Sequence, residues 1–221
     1  MEISKEQLAA MIDHTNLKAY ADEAAMKKLC DEAKKYNFAA IAVNSAQVKR
    51  CVELLGDSNI HIAATVSFPL GQMTIQAKFF EANDAIDDGA KEIDYVINIS
   101  ELKNGNLNYI RREMEEIVKL CRSKNVISKV IFENCYLNDD EKRQVAEIAK
   151  EVKPDFIKTS TGFGTGGATI EDVKLMKSVV GDEVKVKAAG GIRDFETALQ
   201  MINAGAERIG TSAGVQIMES F

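Results

Sequence analysis

The sequence predicts one α/β domain spanning residues 1–221, a closed parallel (β/α)8 barrel with a short N-terminal helix. Three observations carry this. Eight short apolar runs alternate with amphipathic, charge-rich stretches along the whole chain. The length of 221 residues falls in the range of roughly 200 to 250 that such a barrel commonly needs. Glycines recur where a helical stretch gives way to an apolar run. The alternative is a doubly wound open sheet, which usually has fewer strands, and no G-x-G-x-x-G follows the first run.

The first strand candidate is MIDHT (11–15). DEAAMKKLCDEAKKY (22–36) has apolar residues three and four apart and reads as a helix leading into AAIAVN (39–44). HIAATVSF (61–68) is the third strand and EIDYVIN (92–98) the fourth. Between them DDGAKEID reads as helix end, glycine stop and strand start, with Gly89 suited to the left-handed position past the helix. NYIRREMEEIVKLCRSK (108–124) is a further helix, followed by SKVIFEN (128–134). Asn138 with Glu141 resembles a capping box opening the next helix, with Asn in place of the usual Ser or Thr. DFIKTS (155–160), VKVKAA (184–189) and ERIGTS (207–212) complete the eight, and Gly205 in NAGAERIG repeats the Gly89 pattern.

In a parallel strand, side chains alternate between the helix layer and the barrel interior. Val130 and Phe132 share one face, and Lys129, Ile131 and Glu133 the other. Ile93, Tyr95 and Ile97 lie opposite Glu92, Asp94 and Val96, and Ile157 opposite Phe156 and Lys158. The charges therefore fall on the inward face, towards the strand C-terminal ends. Barrel interiors are normally apolar, and unpaired charge there is costly. Taken singly, Lys129, Glu133, Glu92 and Asp94 read as a structural ion-pair network. Three strand lysines with an acidic pair, placed where barrel enzymes do chemistry, point to function instead. By strict alternation Lys185 shares the face of Lys187, so it either enters the barrel lower down or marks an irregular strand.

Glycine-bearing segments follow the last three strands: STGFGTGG (160–167), AAGGIRD (188–194) and GTSAG (210–214). Glycine permits close backbone approach, and loops after strands seven and eight of a barrel are a usual phosphate site. No G-x-x-x-x-G-K-[ST] occurs, so nucleotide hydrolysis is not indicated.

Composition narrows the classes. A net charge of −6 disfavours a nucleic-acid surface. No apolar run approaches the ~20 residues of a membrane span, and MEISKEQLAA does not read as a signal peptide. Cys30, Cys51, Cys121 and Cys135 show no C-x-x-C spacing, which reads as free thiols in a reducing cytoplasm. Cys135 reads as an inert thiol near a strand end, and His14 and His61 as packed or solvent-facing residues.

IDHTNLK, FPLG, EIDYVIN, KVIFEN, DFIKTSTGF, VKAAGGIR and RIGTSAG resemble, in order and across residues 11 to 214, the signature segments of the deoxyribose-phosphate aldolase family. The resemblance implies a TIM barrel that reversibly cleaves 2-deoxy-D-ribose 5-phosphate to D-glyceraldehyde 3-phosphate and acetaldehyde, through a lysine imine and with no metal or cofactor. By motif, Lys158 corresponds to the imine-forming lysine, Lys187 to the second active-site lysine and Asp94 to the acid of proton transfer. Asp13, Thr15 and Lys129 match further substrate-site positions, and Gly162, Gly190, Gly191 and Ser212 match the phosphate loops. The partners implied are a phosphorylated sugar and acetaldehyde, with neither nucleic acid nor membrane, in a cytoplasmic homodimer.

Four departures stand against the family pattern. VNS (43–45) replaces a common VNP, Phe163 stands where some members have a lysine, and Ala42 replaces a cysteine of some members. The chain ends IMESF without the tyrosine-bearing tail credited with proton transfer in some members, so either slower catalysis or another group in that role is expected.

The chemistry explains the placement of Lys158. An amine attacks a carbonyl only when neutral, and an ordinary lysine, with a pKa of about 10.4, is almost fully protonated at pH 7. A neighbouring cation, here Lys187, and partial desolvation lower that value. For Lys129 two roles stay open, a catalytic one and neutralisation of Asp94 or Glu133. Asp13 has a structural alternative, capping the turn after the first strand. Two rival functions remain: an imine-forming aldolase for another phosphorylated sugar, and a non-catalytic phosphosugar-binding barrel.

Overall fold

The computed structural model describes residues 3–221. Eight parallel strands close into a ring in chain order: β1 (Ile12–Thr15), β2 (Ala40–Asn44), β3 (His61–Val66), β4 (Glu92–Val96), β5 (Ile127–Ile131), β6 (Phe156–Lys158), β7 (Lys185–Ala189) and β8 (Arg208–Thr211). The helices among the described residues are α1 (Lys5–Ala9), α2 (Glu23–Tyr36), α3 (Val48–Leu55), α4 (Ile75–Asp87), α5 (Ile99–Lys103), α6 (Leu107–Ser123), α7 (Asp139–Val152), α8 (Ile170–Val180), α9 (Phe195–Asn203) and α10 (Gly214–Glu219). All eight expected strands form, and α1 is the short N-terminal helix.

Local chemistry sets the helix ends. Ser4, Asp22, Thr74, Asn98, Asn106, Asn138, Thr169 and Asp194 each accept a backbone N–H of the first turn that has no partner inside the helix. The Asn138–Glu141 capping box is complete in both directions. Gly89 and Gly205 adopt φ of 113° and 116°, as their places past α4 and α9 require.

Apolar strand residues face the helices. Ile93, Tyr95, Val130, Phe132, Ile157, Val186 and Ile209 are fully buried. They pack in one continuous core with helix residues such as Ile110, Met114 and Ile117 of α6, which recur every three or four residues. Each such side chain contributes about 1.5–3 kcal/mol on burial.

This layer also holds an ion pair that periodicity does not reveal. Lys78 of α4 and Glu113 of α6 are both wholly buried, 2.6 Å apart. Lys78 also donates to the Val96 carbonyl at 2.7 Å, and Glu113 accepts the Asn98 N–H at 3.0 Å. Together they clamp two helices onto the chain as it leaves β4.

Register decides what enters the barrel. The paired positions Asp13–Ala40–His61, Ala63–Glu92–Ile127, Thr65–Asp94–Lys129–Phe156–Lys185 and Ile131–Lys158–Lys187–Arg208 run side by side around the ring. Paired residues of parallel strands point the same way, so all of these face inward. The interior is lopsided: β2 and β3 contribute Ala40, Ala42 and Ala63, which leaves volume for the long side chains of Lys129, Lys187 and Arg208. A Cβ on Gly210 would come 3.1 Å from Lys187 Cε, so this glycine makes room for the lysine stem. Lys185 does enter lower down: its ammonium is solvent-exposed and lies 5.6 Å from the Phe156 ring centroid.

Two strands stop earlier than their apolar runs. Ser67 and Glu133 both have φ of 57°, a left-handed conformation that breaks the alternation. The expected ion pairing of Glu133 with Lys129 is therefore not found: past the turn, Glu133 serves Thr161.

Candidate active site

The inward charges meet in one cluster. Asp94, on β4, is its hub. Its Oδ1 accepts from Lys129 Nζ at 2.5 Å, and its Oδ2 accepts from both Lys158 Nζ and Lys187 Nζ at 2.8 Å. Lys129 also pairs with Glu92 and lies 3.6 Å from Asp13, and Lys187 also pairs with Asp13. Arg208, which sequence reasoning passed over, donates to Asp13 Oδ1 at 2.6 Å and lies 3.3 Å from Glu92. Its signal was available, because Arg208 shares strand parity with Gly210 and Ser212. At the opposite end of the ring from Lys158, His61 Nδ1 lies 2.9 Å from Glu92.

Burial raises the carboxyls of Asp13, Glu92 and Asp94, but the adjoining cations outweigh it and hold all three below the ordinary range. Burial likewise acts to lower Lys129 and Arg208, and their carboxylate partners reverse it, holding both above their ordinary values. Lys158 behaves differently. Desolvation dominates, Asp94 opposes it, and Lys187 and Lys129 add repulsion, leaving the amine lowered to about 8. The Phe68 ring, whose centroid is 5.3 Å from Nζ, contributes an apolar wall. Lys158 thus supplies a free amine at mildly basic pH, next to a carboxylate that accepts hydrogen bonds from two further ammonium groups.

Above Lys158 opens a cavity of about 290 Å³. Thr15, Lys158, Gly162, Gly190, Gly191 and Ser212 line it, so six of the ten candidate residues share one chamber. Asp13, Asp94, Lys129 and Lys187 lie beneath its floor, fully buried. Lys18 and Arg193 also line it and were not singled out from the sequence; both are exposed cations at the rim. Arg193 follows Gly190-Gly191 by two residues, a spacing that gives a cation beside an anion-friendly loop.

The glycine loops have the conformations that their composition allows. Gly162, Gly190 and Gly191 have φ of 93°, 88° and 81°. The loops after β6 and β7 touch through their backbones: Ala168 N–H donates to the Gly190 carbonyl at 3.0 Å, and a Cβ on Gly167 would sit 2.3 Å from that oxygen. Glu133 braces the first of them. It accepts the Thr161 N–H at 3.1 Å and the Thr161 hydroxyl, which in turn accepts from Phe163 N–H. Phe163, at the expected lysine position, is exposed at the cavity edge. Ser45, where proline is common, donates to Glu81, and Glu81 accepts the N–H of Ser67. The serine thus ties the loop after β2 to the end of β3.

A buried free amine, a carboxylate hub and an anion-friendly rim suit carbon–carbon bond chemistry on a phosphorylated carbonyl compound. Comparison with known proteins agrees. The deoxyribose-phosphate aldolase of Lactobacillus acidophilus is 60% identical over 220 residues, covering 100% of this chain and 93% of that protein. The deoxyribose-phosphate aldolase of Thermococcus kodakarensis is 51% identical over 219 residues, 98% of each. Among solved structures, the tetrameric deoxyribose phosphate aldolase from Aeropyrum pernix superposes with a TM-score of 0.90 at 33% identity, over 99% of this chain and 92% of that one. QR15, an aldolase, gives a TM-score of 0.91 at 39% identity, over 96% and 94%. The family model for DeoC/LacD family aldolases matches residues 7–220, nearly the whole barrel, and the chain belongs to that family.

Proposed function

We propose that this barrel is an imine-forming aldolase that reversibly cleaves 2-deoxy-D-ribose 5-phosphate to D-glyceraldehyde 3-phosphate and acetaldehyde. The observation that carries this reading is Lys158: an amine lowered to about 8, at the floor of a chamber walled by three glycine-bearing loops. Neutral Lys158 adds to C1 of the open-chain sugar, water leaves, and a protonated imine forms. The C2–C3 electron pair then moves towards the iminium nitrogen, leaving an enamine on Lys158, while the C3 hydroxyl loses its proton and becomes the aldehyde of glyceraldehyde 3-phosphate. Protonation of the enamine carbon and hydrolysis of the imine release acetaldehyde and restore the amine.

Asp94 carries protons in this scheme, by way of water and with Lys187 as its ammonium partner, and Lys187 also disfavours protonation of Lys158. Asp13 and Lys129, beneath the floor, act by holding Lys187 and Asp94 in place. Thr15 touches the sugar, and the loops carrying Gly162, Gly190, Gly191 and Ser212 take the phosphate through backbone N–H groups. The rival binding barrel has no use for a free amine at the cavity floor.

The deciding experiment is cleavage of deoxyribose 5-phosphate, run beside acetaldehyde and borohydride trapping with peptide mapping. Cleavage with the label on Lys158 is expected. Cleavage without a covalent adduct would refute the imine, and an adduct without cleavage of this sugar would point to a different phosphorylated substrate.

We also propose that the enzyme works in the cytoplasm, in deoxyribonucleoside breakdown, as a homodimer. Among the described residues no helix is long and apolar enough to cross a membrane. Phe80 and Leu70, 74% and 68% exposed on α4 and the loop before it, are apolar surface that self-association would cover. Sedimentation would settle the assembly, and a monomer at micromolar concentration would refute the dimer.

A further inference from the structure

The buried cluster contains three carboxylates, Asp13, Glu92 and Asp94, but four cationic side chains, Lys129, Lys158, Lys187 and Arg208. The ion-paired groups therefore carry one cation more than they have carboxylates. The pairings select the group that gives up a proton. Lys129 contacts all three carboxylates, Lys187 contacts Asp13 and Asp94, and Arg208 contacts Asp13 and Glu92. Lys158 contacts Asp94 alone, through an oxygen that it shares with Lys187. It is the least compensated cation, and with its amine neutral the cluster balances at three against three.

We infer that Arg208 and Glu92, at the end of the barrel away from the substrate, are positioning residues whose charges set the protonation state of Lys158 through the net charge of the cluster. This rests on the reading of Lys158 as the imine lysine. Neither residue lines the substrate cavity. Both act through contacts, Arg208 through Asp13 to Lys187, and Glu92 through Lys129 to Asp94. Among the other charged groups nearby, Glu133 is buried and within electrostatic reach of Lys158 but makes no ion pair with the cluster and is held by Thr161, while His61 and Lys185 reach solvent at the lower mouth and Lys18 and Arg193 at the cavity rim. The lowering of Lys158 to about 8, with Lys129 and Arg208 raised, agrees with this division of charge.

The consequence is a pair of opposite effects. Loss of the Arg208 charge leaves the cluster one negative charge richer when Lys158 is neutral, which favours protonated Lys158. Loss of the Glu92 charge does the reverse. At the effective dielectric typical of protein sites, one charge several ångströms away moves a titration by about one pH unit.

The experiment is the rate of acetaldehyde trapping by cyanoborohydride, followed by intact mass between pH 7 and 10, above the range in which an ordinary imidazole changes charge. The wild-type rate is expected to be half-maximal near 8. Arg208→Met should move that midpoint up by about one unit and Glu92→Gln down by about one, the double variant should return it to the wild-type value, and Arg208→Lys should leave it in place. A defect of packing alone would lower the rate without this antisymmetry. Trapping on Lys158 with both midpoints unmoved, or moved in the same direction, overturns the inference. If Arg208→Met does not fold, Glu92→Gln alone decides: a downward shift supports the inference and an unmoved midpoint overturns it. Absence of trapping on wild-type Lys158 would instead overturn the imine reading.

Discussion

Lys158 and Lys187 share a single oxygen: each ammonium nitrogen lies 2.8 Å from Oδ2 of Asp94. Two cations held against one carboxylate atom cannot be equally well compensated, and Lys187 has Asp13 in addition. The arrangement leaves Lys158 the less compensated of the two.

Lys187→Met should shift the pH dependence of imine formation upward. Removing the neighbouring charge favours protonated Lys158, so the neutral fraction at pH 7 falls. Wild-type trapping should rise with pH through about 8 and then level off. In the variant the rise should come later, each pH unit corresponding to about 1.4 kcal/mol. A pH–rate profile of acetaldehyde trapping checks this, and an unmoved rise would remove Lys187 from the electrostatic role.

Gly191→Val should weaken use of the phosphorylated substrate selectively. At φ 81° a β-branched residue is strained, so the loop after β7 must shift. kcat/KM for deoxyribose 5-phosphate should fall roughly tenfold more than that for unphosphorylated deoxyribose, a difference of about 1.4 kcal/mol. Equal losses on the two sugars would place the phosphate elsewhere.

Chelation should leave cleavage intact. A protonated imine already withdraws electrons from the breaking bond, so no Lewis acid is required. Asp13, Glu92 and Asp94 are each matched by lysine or arginine and are not free to bind a cation. The check is activity after dialysis against EDTA. Loss that is reversed by a divalent cation would contradict the imine route.

Lys78→Met should destabilise the fold by about 3–5 kcal/mol, because it strands Glu113 as a buried unpaired acid. Burial raises the Glu113 carboxyl and lowers the Lys78 amine, so both are costly alone. The double variant Lys78→Met/Glu113→Leu should recover most of the loss in urea unfolding. Additive losses would show that the two side chains act independently.

Much of this was legible in the sequence. Strand number and order follow from eight repeated β/α units, and the inward face of β4 to β7 follows from period-two alternation, because a one-residue slip would turn their charges into the apolar helix layer. What escaped lies where a local rule yields to tertiary contact. Glu133 reads as inward facing, but a left-handed residue resets the parity after β5. The Lys78–Glu113 pair carries no local signal, because each partner sits on a different helix. Arg208 opens a run otherwise read for its glycine and serine, so its inward position passed unnoticed. Phe68 over Lys158 depends on a loop path that composition does not encode.

Asp13 and Arg208 meet at 2.6 Å although 195 positions separate them, since β1 and β8 are neighbours only in the finished ring. A growing or partly folded chain therefore holds inward charges whose counter-ions have not yet arrived. Half a barrel would bring Lys129 and Asp94 together without Asp13's partner from the last strand. Non-local pairing of this kind delays reward until closure, so the dry interior and the tuned amine come into being in the same event. An incompletely assembled chain would not present a weakened version of the nucleophile, because its cluster would stay open to water and its lysine amine would titrate as any other.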